Sequence, residues 1–77
     1  METELLKRIT TNPGIFNGRP IIRGMRFTVT DILDLLSSDM TPEDIIRDFP
    51  FLEKDDIKAA LLYASLRLKN TLVINAA

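Results

Sequence analysis

The chain has 77 residues with no cysteine and no histidine, which removes disulfides and the usual zinc ligands and leaves one small domain over 1–77. Hydrophobic residues make up 45% and the net charge is −1, an ordinary globular balance without a run near the ~18 apolar residues of a membrane span. Residues 1–30 hold five bases against two acids, and residues 31–77 hold five against nine, so an anionic partner is expected for the first half.

The N-terminus, "METELLKRITTNP", has early acids and no apolar core run. It does not read as a signal peptide, and a cytoplasmic setting is expected. "LLKRIT" fits a strand or a helical start. Asn12-Pro13-Gly14 and Asn17-Gly18 are turn signals. Residues 1–29 therefore read as a β-rich N-terminal part that ends in a hairpin.

That hairpin is "RPIIRGMR", residues 19–26, continuing to Val29. Gly24-Met25 fits a two-residue loop with glycine first. It would set Ile22 opposite Phe27 and Arg23 opposite Arg26. Like charges directly across a strand pair repel, so Arg23 and Arg26, with Arg19 close along the strand, need compensation. Either Asp31, Asp34 or Glu43 pairs with them at the surface, or they form an anion-, DNA- or partner-binding site.

Helical spacing begins at "TVTDILDLLSS", where Ile32, Leu35 and Leu36 recur at i, i+3 and i+4. Thr30 reads as the N-cap, and the helix should end near Ser38. "TPEDIIRDF" opens with Thr41 as N-cap, Pro42 at the first position and a Thr-x-x-Asp capping box. Phe49-Pro50 should stop it. The third helix covers "FLEKDDIKAALLYASLRLKN", with a core stripe at Ile57, Leu61, Ala64 and Leu68, widened by Ala60. Leu62, Tyr63 and Leu66 then either finish the small core or face a partner. So do Leu72, Val73 and Ile74 of the tail, residues 71–77. The partner or homodimer interface is the favoured reading, because a domain this small is marginal alone.

The overall plan is mostly α: a three-helix part over 30–70, ending in a helix-turn-helix, behind a small N-terminal β-hairpin region. A helix-turn-helix fits double-stranded DNA, but "EKDD" at the start of the third helix would repel phosphate. No catalytic constellation is present: there is no activated nucleophile, and Asp55 and Asp56 point apart on a helix. The chain is not expected to be an enzyme, and no metal or cofactor is expected.

The string "GRPIIRG-R", followed by "DIL-LL-S-M-TPEDI---FP-L---DI-AAL-YA", resembles domain-of-unknown-function family 433, also described as VapB-like antitoxins. The likeness covers about residues 10–65. Met25 departs from the small polar residue usual in the loop, and "EKDD" from the usual helix start. The resemblance implies a homeodomain-like fold. It also implies an antitoxin of a bacterial toxin–antitoxin pair, which binds a PIN-type ribonuclease toxin and has promoter DNA as a second partner. The alternative is a protein-interaction module that never touches DNA.

Overall fold

The structure is a computed structural model that describes residues 2–71. The elements run α1 (Glu2–Leu6), β1 (Ile9–Thr10), a single turn at Phe16–Gly18, β2 (Ile21–Ile22), α2 (Val29–Ser37), α3 (Pro42–Asp48) and α4 (Lys54–Thr71). The protein is thus mostly helical with a two-stranded antiparallel sheet. The start of "LLKRIT" belongs to a helix, and its Ile-Thr end to a strand. No helix among the described residues is long and apolar enough to cross a membrane.

β2 sits at the centre of the N-terminal part. Ile22 pairs with Ile9 and Ile21 with Thr10. On its other side Ile21 bridges Thr28, and the Ile22 N–H donates to the Phe27 carbonyl at 2.9 Å. Both isoleucines are fully buried. The hairpin register is therefore the expected one, but its turn is not. Met25 N–H closes on the Ile22 carbonyl (2.8 Å), so Arg23 and Gly24 are the turn residues, at φ 44° and 73°. Positive φ at both central positions is the type I′ geometry, whose twist matches the flanking strands. Glycine takes that conformation without strain. Arg23 does not, and its bonds to a carboxylate on α4 hold it there.

The helix starts follow from side-chain caps. Thr28, not Thr30, caps α2: its hydroxyl accepts from Asp31 N–H (2.9 Å), and Asp31 accepts from Thr28 N–H (2.9 Å). A cap must stand three residues before its reciprocal acid, and Asp31 selects Thr28. Thr41 and Asp44 form the expected box on α3, with Pro42 at the first position. These bonds, the Thr41 backbone and hydroxyl foremost, hold the Asp44 carboxyl below its ordinary range.

α3 stops at Asp48, ahead of Pro50. The chain then turns under three rings: Phe27 lies 5.1 Å from Phe49 and 5.6 Å from Phe51, which are themselves 6.1 Å apart. Tilted and edge-on pairs at these spacings are the favourable arrangements. They fix the α3–α4 turn to the hairpin.

Ile22, Val29, Ile32, Ile45, Leu52, Ile57 and Ala60 form the core. α1, β1, α2 and α3 all pack on α4. Its buried face carries Asp56, Ile57, Ala59 and Ala60. The stripe is therefore rotated from the expected one, and Leu61 and Leu68 lie 48% and 58% exposed. Two alanines let the neighbouring segments approach closely, and Asp56 occupies an inward position that a hydrophobic count assigns to solvent.

Candidate functional site

Among the described residues, the most deeply buried polar side chain is Asp56. Its side chain is fully buried, yet both oxygens are satisfied. Oδ1 accepts from Arg8 Nη1 (2.9 Å) and Arg23 Nε (3.0 Å); Oδ2 accepts from Arg23 Nη2 (2.8 Å) and the Glu53 N–H (2.8 Å). Burial by itself would raise the Asp56 pKa. The hydrogen bonds from Arg23, Glu53 and Arg8 outweigh it, and the carboxyl is held below its ordinary range.

Arg8 also donates to Glu53 Oε1 (2.7 Å) and lies 3.8 Å from Asp55. Arg23 Nη2 also donates to the Phe51 carbonyl (2.8 Å). Both guanidinium groups are pushed above their ordinary pKa, Arg8 chiefly by Glu53 and then Asp56, Arg23 chiefly by Asp56.

This network explains the Arg23 backbone. One step past the Ile9–Ile22 pair, Arg23 N–H donates to the Arg8 carbonyl at 2.8 Å. Arg23 thus has an arginine as its cross-strand neighbour, but that arginine is Arg8 rather than Arg26. A carboxylate relieves the repulsion, but it is Asp56 rather than Asp31, Asp34 or Glu43. The left-handed turn aims Arg23 at α4, and the bidentate bond offsets a strain of about 1–3 kcal/mol.

Of the three arginines proposed for an anion site, the structure thus commits Arg23 to the fold. Arg19 and Arg26 are exposed, and neither pairs with a carboxylate among the described residues. The Arg26 guanidinium lies 6.0 Å from the Phe16 ring centre. Phe16 was not singled out by sequence reasoning; the Asn17-Gly18 turn signal beside it was the available clue. Its φ is 50°, followed by 56° at Asn17 and 82° at Gly18. The charge asymmetry between the halves is largely internal, since Arg8 and Arg23 meet Glu53, Asp55 and Asp56, and Lys7 lies 3.7 Å from Glu4.

The second feature is an apolar ridge on α4. Leu61, Ala64, Ser65 and Leu68 line its outer side, with Lys69 at one end. Lys58, one turn before Leu61, is exposed. Beside the ridge, a shallow groove of about 500 Å³ runs between Pro20, Val29 and Leu33 on one wall and Tyr63, Ala64 and Leu68 on the other. Of the proposed interface residues, Tyr63 packs against the core and Leu66 lines a cleft with Leu6 and Ile9; Leu62 is half-buried. Leu72, Val73 and Ile74 lie outside the described residues.

A family model described as "Protein of unknown function (DUF433)" matches residues 9–64. The chain belongs to the DUF433 family. The match begins at β1 and ends within α4, so both the arginine clasp on Asp56 and the hairpin fall inside it, apart from Arg8 one residue before. The chain is also similar to "Uncharacterized protein y4eO" of Sinorhizobium fredii (strain NBRC 101917 / NGR234), at 30% identity over 56 residues. That alignment covers 73% of this chain and 25% of the relative, so this chain spans about a quarter of that protein's length. No solved structure matches.

Proposed function

We propose that this DUF433 protein is an antitoxin-like regulator that acts by protein contact, with α4 seated in a groove of a PIN-type ribonuclease toxin. The toxin class is what the VapB-like resemblance implies. The observation that carries the contact is the ridge of exposed Leu61 and Leu68 with half-buried Ala64 between them, at i, i+3 and i+7 on an 18-residue helix. That is the anchor spacing of a helix laid into an apolar groove. Lys58 and Lys69 flank the ridge at its two ends and suit an acidic rim on the partner.

In this reading α2, α3 and α4 form a homeodomain-like helix-turn-helix unit whose last helix meets protein instead of a major groove. The first turn of α4 carries Asp55 and Asp56 and follows Glu53. Asp56 is buried against Arg8 and Arg23, but Glu53 and Asp55 keep acidic side chains at the surface beside Arg8, so among the described residues this end of the helix offers phosphate no free cation. Duplex promoter DNA is therefore the less supported partner.

The test is co-expression with the nuclease of the adjacent open reading frame. The intact chain should restore growth and co-purify with the nuclease, whereas Leu61→Asp and Leu68→Asp should lose both while the chain stays folded by circular dichroism, because each side chain is already about half exposed. Full neutralisation by the two variants, or a neighbouring gene of another class, would overturn the reading.

A further inference from the structure

Among the described residues, Phe16 is the one aromatic side chain that the backbone holds in a left-handed conformation. Its ring is 43% exposed and lies at the head of three successive positive-φ residues. The loop is built to keep it there. Asn12 Oδ1 accepts from Gly14 N–H (2.8 Å), Ile15 N–H donates to the Asn12 carbonyl (2.8 Å), Gly18 N–H to Ile15 (3.1 Å) and Arg19 N–H to Phe16 (3.1 Å). Gly18, at φ 82°, completes a turn that a side chain would strain. A bulky residue in this conformation is uncommon, and such outliers gather where a surface is shaped for a ligand. Here the strain does not seat the ring in the core.

We propose that Phe16, Arg19 and Arg26 form a binding surface for an unpaired nucleotide. A base stacks on the exposed Phe16 ring, and Arg19 and Arg26 take the adjoining phosphates. The inference is independent of the α4 contact and uses none of its residues. Three observations favour this ligand. The ring is partly exposed on a hydrogen-bonded turn, as a stacking platform requires. Arg26 already lies over it, so cation and π-face are held together. Arg19 and Arg26 are also the two N-terminal arginines left without a carboxylate among the described residues. An acidic peptide would satisfy the arginines but would meet the negative face of the ring quadrupole. Duplex DNA would present phosphates but no base face.

Binding of fluorescein-labelled oligothymidylate and oligouridylate, followed by anisotropy at several salt concentrations, tests the proposal. The intact chain should bind a single strand with a log–log salt slope of about −1.4, as for two phosphates. Phe16→Ala should weaken binding about tenfold or more, while Phe16→Tyr, which keeps the ring, should retain it. Arg19→Ala with Arg26→Ala should abolish the salt dependence, and Arg47→Ala, a cation elsewhere, should not. A preference for thymidylate or uridylate separates DNA from RNA as the source. If Phe16→Ala fails to fold, Phe16→Tyr and the double arginine variant decide the outcome. Absence of binding at about 1 mM protein would overturn the proposal. So would tighter binding of the matched duplex, equal competition by polyglutamate, or indifference to Phe16→Ala.

Discussion

Asp56 shows how one side chain can organise a small protein. It is a buried anion, and a buried anion is tolerable only when its partners are close and well aimed. Removing it strands two arginines that face each other across β1 and β2. Asp56→Ala should therefore cost about 3 kcal/mol, which in a domain of this size lowers Tm by more than about 12 °C. Arg23→Ala should cost about 2 kcal/mol, less because the Arg23 side chain is 35% exposed and partly screened. Both losses are measurable by thermal melts. The same carboxyl sets the acid limit. Its folded pKa lies below its unfolded value, which is about 3.9. Its contribution is complete above the unfolded pKa and is lost as pH falls through the folded one. An Asp56→Asn variant should thus show a shallower loss of stability in acid melts, with the Asp44 contribution remaining.

Among the elements, the caps were the most legible part of the sequence. Thr41-Pro42-Glu43-Asp44 states a helix start through spacing and backbone chemistry, and α3 begins there. Thr28→Ala and Thr41→Ala should each cost about 1 kcal/mol, read as urea midpoints that shift at constant m-value. The Thr28 cap was hidden by Thr30, because two threonines two residues apart both precede an apolar stripe and only the reciprocal bond to Asp31 separates them. The hairpin register followed from a glycine turn signal at Gly24-Met25, and Ile22 does stand opposite Phe27. The turn residues were not legible, since a non-glycine left-handed residue is stabilised here by a carboxylate 33 positions away. The face of α4 was misjudged for a related reason. Periodicity marks apolar positions, and Asp56 is a charged residue at an inward one. Phe16 gave little signal at all, because an isolated aromatic near a turn looks like core.

For the molecule as a whole, the clasp on Asp56 joins segments that lie far apart in the chain, Arg8 and Arg23 at the start and α4 at the end. α4 is also the surface on which α1, β1, α2 and α3 all pack. Translation delivers these parts in one direction. At about 5–20 residues per second, the 33 positions between Arg23 and Asp56 take roughly 2–7 s to make. Throughout that interval the two arginines have been synthesised without their counter-ion, and the sheet they flank has no helix beneath it. The N-terminal segment should therefore remain open to protease on nascent chains stalled before Asp56 clears the ribosome. It should become resistant only once α4 has emerged, a difference that stalled chains of graded length would display. Protection of the shorter chains would show that the sheet closes without its clasp. A protein bound to this helix then has a further consequence for timing: a partner that engages α4 meets the chain only after the fold it belongs to can be complete.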